Sequence, residues 1–348
     1  MCKFEKGPGP EFSRPPAGGK IVKEVRVNLF EGIQLIDCEP TAASFLEEAL
    51  SGLRKPRKTL PCNYFYDERG SELFARICEL EEYYPTRTEI AIMQEHASEM
   101  AEAIGPGCAI VEYGIGSALK TRILLERLIE PAACIPVDIS REFLIRSAKD
   151  LAAIFPKIEF LPVCANFSEP FDLPPTKRKP ARAVAYFPGS TIGNLTPEEA
   201  AVLLKNMAKT CGSGGGLLVG IDLIKDVERL EAAYNDGLGV TAEFNKNILR
   251  RMNRELDADF DLEKFDHFAF YNYGERRIES HLVSRADQSV RLGGEAFAFR
   301  EGEAIHTENS HKYDIEDFSA FAAEVGFTAE RVWTDAGWLF AVVYLRID

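Results

Sequence analysis

The run Ile110-Val111-Glu112-Tyr113-Gly114-Ile115-Gly116-Ser117 decides the fold of this chain. It predicts a buried strand with an acidic end, then a Gly-x-Gly turn, then a helix. Glycine has no Cβ, so such a turn lets a ligand lie directly against the backbone. A second short strand, Cys134–Asp138, follows that helix, and a carboxylate at its end can accept hydrogen bonds from both hydroxyls of a ribose. The two strands together predict a nucleoside-bearing cofactor.

Composition and charge limit the functions open to the chain. Of its 348 residues, 46% are hydrophobic and 28% are charged, as in soluble globular proteins. The net charge of −14 opposes a general nucleic-acid binder, which needs a positive surface. The sequence contains neither an apolar run of the ~20 residues that a membrane helix requires nor a signal peptide. The eight cysteines are scattered without a C-x-x-C pair, which predicts reduced thiols and a cytoplasmic protein.

Strand and helix patterns alternate through the middle of the chain. The candidate strands are Ala109–Tyr113, Ile135–Asp138, Glu159–Val163, Ala183–Phe187 and Gly216–Asp222. This alternation predicts an α/β fold, a parallel sheet with helices on both faces. Two final strands, Ala329–Thr334 and Leu339–Leu345, predict an antiparallel hairpin. A parallel sheet ending in such a hairpin matches the Rossmann-like sheet of class I S-adenosylmethionine-dependent methyltransferases.

The same pattern divides the chain into parts. Residues 1–19 contain four prolines and four glycines and are predicted to be disordered. Residues 225–314 break the alternation and are rich in aromatic side chains. With residues 20–73 they are predicted to form an α+β substrate-binding domain over the strand ends. Residues 74–224 and 315–348 are predicted to form the cofactor-binding methyltransferase domain.

Polar residues follow the third and fourth predicted strands. Asn166 and Phe167 suit an adenine edge and ring, or equally a loop amide beside a core aromatic. Asn194 offers a donor and an acceptor to a ligand, but a turn would use it as well. Thr196 and Glu199 form the signature of a capping box, which predicts that a helix begins after Thr196.

The Gly-x-Gly turn leaves two cofactor classes open. A nicotinamide dehydrogenase fits less well, because Leu119 stands where G-x-G-x-x-G has its third glycine. The Glu-x-Gly-x-Gly form favours S-adenosylmethionine. The five histidines are scattered without a matching acidic or thiolate set, so no metal site is predicted.

Four further stretches carry a more specific likeness: Tyr64–Ser71, Tyr83–Glu89, Gly189–Pro197 and Asn253–Leu262. Through them the chain, from about residue 40 to its end, resembles the histidine Nα-methyltransferase family of ergothioneine biosynthesis. The resemblance implies an enzyme that transfers methyl groups from S-adenosylmethionine to the α-amino group of L-histidine. Three transfers would give hercynine, and each would release S-adenosylhomocysteine.

The resemblance also implies roles for individual residues. The cofactor site would be lined by Gly114, Lys120, Asp138, Asn166 and Phe167. The amino and carboxylate groups of the acceptor would be held by Tyr66, Gly189, Asn194 and Tyr234. Of these, Tyr66 and Asn194 would aim the nitrogen lone pair as catalytic residues. The imidazole ring would be bound by Glu308 and Ser310, in a pocket shaped by Thr241 and Phe244.

Two positions depart from the family pattern. Asn166 stands where well-known members have Asp, although an amide can still bond adenine. Ser280 stands where the family's histidine enzyme has a Met near the acceptor ring, and a smaller residue widens the pocket. The acceptor therefore stays open between L-histidine and another aromatic amino acid such as a tryptophan derivative. A non-catalytic S-adenosylmethionine-binding protein is a third interpretation. The predicted partner is a small-molecule substrate, an amino acid, and not nucleic acid or membrane; a monomer is favoured.

Overall fold

The computed structural model describes residues 26–30, 33–38, 42–116, 118–167, 171 and 173–347. The segment 1–19, predicted to be disordered, lies outside the described residues. The strands are β1 (Arg26–Phe30), β2 (Ile33–Cys38), β3 (Lys58–Thr59), β4 (Cys108–Tyr113), β5 (Ala133–Asp138), β6 (Glu159–Phe160), β7 (Val163–Ala165), β8 (Arg182–Phe187), β9 (Gly216–Asp222), β10 (Phe265–Asn272), β11 (Arg277–Ser284), β12 (Gln288–Leu292), β13 (Glu295–Phe299), β14 (Ala304–His311), β15 (Phe327–Thr334) and β16 (Phe340–Ile347). The helices are α1 (Ala42–Leu53), α2 (Glu68–Ile77), α3 (Tyr84–Ile104), α4 (Ala118–Leu125), α5 (Arg141–Ile154), α6 (Pro197–Cys211), α7 (Val227–Ala232), α8 (Val240–Leu256) and α9 (Ile315–Glu324).

The larger sheet has the strand order β1-β2-β7-β5-β4-β8-β9-β16-β15, with β6 beside β5. Strands β7, β5, β4, β8 and β9 are parallel to one another. Strand β16 runs antiparallel to both β9 and β15. The predicted parallel sheet and its terminal hairpin are therefore confirmed.

Both faces of this sheet are buried. Along β4, Val111 joins one hydrophobic cluster and its neighbour Ile110 joins another, because successive side chains point to opposite faces. Helix α6 covers the first face with residues such as Leu203, and α3 covers the second with residues such as Met93. Burial on both sides explains why the central strands are continuous apolar runs.

The third predicted strand, Glu159–Val163, is wrong as a single element. The structure has β6 and β7 there, separated by Leu161 and Pro162. Proline has no N–H to give to a ladder, so the strand breaks at that point. Strand β6 pairs with the start of β5, whereas β7 pairs with its end. Strand β7 thus brings the chain to the carboxyl edge of the sheet.

Helix α6 begins as its sequence predicts. The Thr196 hydroxyl accepts a hydrogen bond from the Glu199 N–H, and the Glu199 carboxylate accepts one from the Thr196 N–H. The two bonds satisfy donors that a helix start leaves unpaired. This cap holds the end of the loop that carries Asn194.

A smaller sheet has the strand order β10-β11-β14-β3, and β12 and β13 form a separate hairpin. The hydrophobic cluster that includes the smaller sheet is formed by buried residues within 45–84 and 230–305. Strands β1 and β2 extend the larger sheet beside β7 instead. The structure therefore differs from the predicted grouping of residues 20–73 as one block, and the two-domain division itself stays a prediction.

Two further observations concern the environment of the chain. Six cysteines in the described ranges are outside any disulfide bond: Cys62, Cys78, Cys108, Cys134, Cys164 and Cys211. None of the helices that the structure describes combines the length and the apolar character needed to cross a bilayer.

Candidate active site

A partly open cavity lies where the loop after β8 meets α2, α8 and β14. Its walls include all eight residues predicted to bind the acceptor: Tyr66, Gly189, Asn194, Tyr234, Thr241, Phe244, Glu308 and Ser310. These residues come from distant parts of the sequence. The fold therefore gathers the whole predicted acceptor set around one space.

Tyr66 stands at the end of a short 3-10 turn before α2. Its ring meets Phe74 and Phe244 edge-on, with centroid separations of 5.6 and 5.5 Å. Such aromatic contacts are favourable and fix the orientation of the ring. Burial, and then the nearby Glu308, raise the pKa of Tyr66 well above its usual 10. At neutral pH Tyr66 is therefore a phenol that donates or accepts a hydrogen bond, not a base.

The neighbouring Asp67 ties this turn to the rest of the domain. Its carboxylate caps α2 by accepting a hydrogen bond from the Gly70 N–H at 2.8 Å. It also accepts one from the Asn247 amide at 2.7 Å and forms an ion pair with Arg254 at 2.6 Å. Asn247 and Arg254 lie on α8, so the motif around Tyr66 is held between two helices.

The loop after β8 is strained and tightly held. Ser190 has a φ of +56°, which is unfavourable for a residue with a Cβ. Its hydroxyl accepts a hydrogen bond from the Asp222 N–H at 2.9 Å, which holds the strained residue in place. A Cβ on Gly193 would lie 2.9 Å from the His311 carbonyl oxygen, so glycine is needed there. This close approach places Asn194 beside β14.

A buried carboxylate on α3 joins three elements. Glu89 is only 1% exposed and accepts a hydrogen bond from the Lys120 ammonium at 2.6 Å. It also accepts the Gly189 N–H, at 2.9 and 3.0 Å from its two oxygens. Lys120, predicted for the cofactor site, thus stands beside Gly189, predicted for the acceptor site. The ion pair links the cofactor-side helix α4 to the wall of the cavity.

Glu308 and Ser310 occupy alternate positions on β14 and therefore share a face. Ser280 lies directly across from Glu308 on β11. Burial raises the pKa of Glu308 to about 7, against the opposing effects of Lys312 and of a hydrogen bond from Ser280. A donor bound in the cavity would favour the charged carboxylate.

Lys312 lies beneath these residues, with its side chain fully buried. Its ammonium bonds to Asp222 at 2.8 Å, to the Ser310 hydroxyl at 2.7 Å and to the Tyr234 hydroxyl at 3.2 Å. The Tyr234 and Ser310 hydroxyls are themselves 2.7 Å apart. An ammonium can only donate, so both hydroxyls accept from Lys312.

Asp222 is the shared partner of this network. Besides Lys312, it accepts hydrogen bonds from Lys225 and from the Tyr84 hydroxyl, the latter at 2.7 and 2.9 Å. Burial opposes its charge, but Lys312 and Lys225 hold the pKa of Asp222 below its usual value. Burial lowers the pKa of Lys225 to about 8. One carboxylate and two ammonium groups leave net positive charge under the cavity.

The residues predicted for the cofactor lie beside the cavity, at the carboxyl edge of the larger sheet. Gly114 has a φ of +80° after β4, a conformation that L side chains rarely adopt. Asp138, at the end of β5, accepts the Ile115 N–H at 3.1 Å and the Ser140 N–H at 2.8 Å. Burial nevertheless raises the pKa of Asp138 to about 6, so further hydroxyl donors would stabilise its charged form. The edge therefore fits a ribose.

Phe167 and Asn166 follow β7 at the same edge. The Phe167 ring meets Tyr113 and Phe187 edge-on, at centroid separations of 6.0 and 5.8 Å, and stays half-buried. A partly open aromatic ring beside a half-buried amide suits a purine. The acidic end of β4, Glu112, instead turns inward and accepts a hydrogen bond from Thr121 at 2.6 Å.

Four residues of this region were not predicted from the sequence. Tyr83 and Asp222 line the cavity, and Glu89 and Lys312 bond directly to residues of its wall. Tyr83 and Glu89 stand in a stretch that carries the family likeness, and Asp222 ends a predicted strand, so each had a signal. Lys312 had none, because its contacts depend on how the two sheets meet.

The central strand order β7-β5-β4-β8-β9-β16-β15, with β16 reversed, and a ribose-compatible edge beside a cavity define a class I S-adenosylmethionine-dependent methyltransferase. A family model described as histidine-specific methyltransferase, SAM-dependent, matches residues 45–347. The chain belongs to this family, which confirms the resemblance seen in the four stretches.

Individual relatives agree with this assignment. The histidine N-alpha-methyltransferase of Mycolicibacterium smegmatis is 40% identical over 85% of this chain and 93% of its own length. That of Mycobacterium tuberculosis is also 40% identical, over 83% of this chain and 90% of its own length. Ergothioneine biosynthesis protein 1 of Neurospora crassa is 30% identical over 87% of this chain, which spans 34% of that longer protein.

Removing Glu89 should destabilise the protein through Lys120. Glu89→Leu leaves a buried ammonium without its partner, and we expect a loss of about 3–5 kcal/mol in the free energy of unfolding. The double variant Glu89→Leu/Lys120→Met removes both charges and should recover much of that loss. Urea denaturation measures both values. Glu95→Leu, at an exposed position on the same helix, is the control and should stay within about 0.5 kcal/mol of the parent. Equal losses in the single and double variants would contradict the ion-pair argument.

Proposed function

We propose that the protein methylates the α-amino nitrogen of L-histidine with S-adenosylmethionine, three times, to give hercynine for ergothioneine biosynthesis. The observation that carries the proposal is the floor of the cavity, where the Glu308 carboxylate and the Ser310 hydroxyl stand on one face of β14 and the Tyr234 hydroxyl bonds to Ser310. The mycobacterial relatives are named for histidine N-alpha-methylation and the fungal relative for ergothioneine biosynthesis, which supports the proposal.

The hydrogen bonds on this floor support imidazole as the ring that it would bind. Tyr234 and Ser310 both accept from Lys312, and one of the two hydroxyls donates to the other. One hydroxyl proton is then left to donate into the cavity, while the Glu308 carboxylate can only accept. Neutral imidazole has one N–H and one bare nitrogen, so it satisfies both groups. Indole has no ring acceptor and would leave the hydroxyl unpaired.

The other end of the acceptor would lie against Tyr66, Gly189 and Asn194. Tyr66 remains a neutral phenol and Asn194 is an amide, so both would aim the nitrogen without acting as strong bases. A strong base is not required, because an α-amino pKa near ~8 leaves a usable neutral fraction of the amine at pH 7. Holding two reactants in line can supply roughly 7–11 kcal/mol of a reaction barrier.

S-adenosylmethionine, when bound, supplies a methyl group already activated on a sulfonium. We assign its adenosine to the edge formed by Gly114, Asp138, Asn166 and Phe167. The ribose would bond to Asp138, and the adenine would lie at Asn166 and Phe167. Lys120, fixed by Glu89 next to Gly189, would mark the border between the two reactants.

The alternative acceptor is a tryptophan derivative. Ser280, across from Glu308, is small and would leave space for a larger aromatic ring. An N-methyltransferase of a tryptophan derivative would use that space, but indole has no ring acceptor and would leave the remaining hydroxyl proton without a partner.

The proposal extends to the setting of the enzyme. The net charge of −14 supports a small-molecule substrate in preference to nucleic acid, and the free thiols support a cytoplasmic protein. We propose a monomer, because both halves of the site come from one chain.

The direct test is mass spectrometry of amino acids after incubation with the protein and S-adenosylmethionine. Histidine should gain one, two and finally three methyl units, while phenylalanine, tyrosine and tryptophan stay unchanged. Methylation of tryptophan in place of histidine would favour the rival acceptor. Cofactor binding by calorimetry without any methylated amino acid would overturn the enzymatic proposal.

Glu308 should control acceptor binding and its pH dependence. Loss of a hydrogen bond to a charged group costs about 1.5–3 kcal/mol, so Glu308→Ala should raise the histidine KM at least about tenfold. The KM for S-adenosylmethionine should change less than about twofold. Because the carboxyl has a pKa of about 7, it loses its charge as the pH falls through 7, and the histidine KM should rise there. Glu308→Gln should lack that step, and an unchanged step would contradict the assignment.

Lys312 should act as a positioning residue for acceptor choice. Lys312→Met and Lys225→Met each remove one ammonium partner of Asp222, but only the first removes the donor to Ser310 and Tyr234. We expect Lys312→Met to lower the ratio of kcat/KM for histidine over tryptophan about tenfold, the value of one hydrogen bond. Lys225→Met should leave the ratio within about twofold. Equal effects of both variants would show that charge alone matters, and thermal unfolding verifies that each variant is folded.

A further inference from the structure

A cluster of metal-binding residue types forms on the smaller sheet, away from the cavity. One ligand atom each from Glu279, His281 and His306 lies within 4.8 Å of the others. The sequence separates the two histidines, but β11 and β14 place them directly opposite each other. Their rings stack at a centroid separation of 4.9 Å. The prediction of no metal site rested on the spacing of residues along the sequence, which does not reveal that strand pairing brings these three residues together.

A β-bulge separates this cluster from the acceptor site. Ser280 pairs with Glu308, but the next residue, His281, pairs with His306, so β14 has one extra residue there. The extra residue reverses the alternation of faces along β14. Glu308 therefore faces the cavity, whereas His306 joins Glu279 and His281 on the opposite face.

Glu279 and His306 are each oriented by a hydrogen-bond partner outside the cluster. One Glu279 oxygen is held by Arg277 at 2.7 and 2.9 Å and by Asn272 at 2.9 Å. The other Glu279 oxygen lies 3.2 Å from His281 Nε2. His306 Nε2 lies 3.0 Å from the Glu308 carbonyl oxygen, so it carries the proton and leaves a lone pair on Nδ1. A ligating histidine characteristically gives its other N–H to such an acceptor.

We propose that Glu279, His281 and His306 bind a divalent transition-metal ion of the zinc type. Two ligands at tetrahedral positions around zinc are ~3.3 Å apart, close to the separation of the Glu279 and His281 atoms. His281 would bind through Nε2 after its proton moves to Nδ1 of the same ring, with no net proton release. Water would complete the coordination.

The surroundings allow entry and set the strength of binding. Both histidines are partly exposed, and burial lowers the pKa of each, which keeps the rings neutral as metal ligands must be. Arg277 shares the carboxylate and opposes a second positive charge. Three protein ligands beside a guanidinium fit micromolar affinity better than that of a structural zinc site.

Calorimetric titration of the full chain with Zn²⁺ tests the proposal. The protein should carry no histidine tag and should first be freed of metal with a chelator. We expect one equivalent bound, and a rise of a few degrees in Tm at a hundredfold excess of Zn²⁺ over Kd. Co²⁺ in place of Zn²⁺ should give the visible absorption of a coordinated ion.

Three variants locate the ion. His281→Ala and His306→Ala should each weaken Zn²⁺ binding at least about tenfold and abolish the Tm rise. Their Tm without metal reports whether they fold. His96→Ala is the matched control, since His96 also lies beside carboxylates, Glu95 and Glu99, but on α3. It should bind Zn²⁺ as the parent does. Absence of binding in the parent, or unchanged binding in both test variants, would overturn the site and leave the methyltransferase proposal untouched.

Discussion

The buried carboxylate of Asp222 is the interaction on which the active-site region depends. It ends β9 of the larger sheet, yet its partners come from α3, from the segment after β9 and from the end of the smaller sheet, through Tyr84, Lys225 and Lys312. A buried charge is costly unless it is paired and hydrogen-bonded, so these elements are held at one point. Its N–H also holds the strained Ser190. The wall and the floor of the cavity therefore share one electrostatic anchor.

A second buried pair plays the corresponding role on the cofactor side. Glu89 fixes Lys120 and the backbone of Gly189, so the loop after β8 is held at Gly189 by the Glu89 carboxylate and at Ser190 by the Asp222 N–H. The chemistry proposed here requires this rigidity more than it requires a strong acid or base. The methyl donor is already activated, and the contribution of the protein would be to align a neutral amine with it.

Recognition of the acceptor follows from what the floor would leave unpaired. A carboxylate and a hydroxyl whose remaining proton must be donated match a ring that has one donor and one acceptor. Such a site discriminates strongly, because the wrong ring leaves a buried polar group without a partner. The Lys312 ammonium under Ser310 and Tyr234 makes both hydroxyls accept hydrogen bonds from below, which leaves one hydroxyl proton to donate into the cavity. The β-bulge on β14 keeps Glu308 on the cavity side while His306 faces away.

The sequence by itself determined the local elements: the glycine turn after β4, the capping box of α6, the terminal hairpin and the parallel sheet that these imply. Through the family resemblance it also named eight of the residues that line the cavity. It did not predict the break at Pro162, the transfer of β1 and β2 to the larger sheet, the contacts of Lys312, or the pairing of His281 with His306. Local signals depend on a few neighbouring residues, and they can be read along the chain. Buried ion pairs and cross-strand register depend on how distant segments meet, so only the tertiary structure decides them.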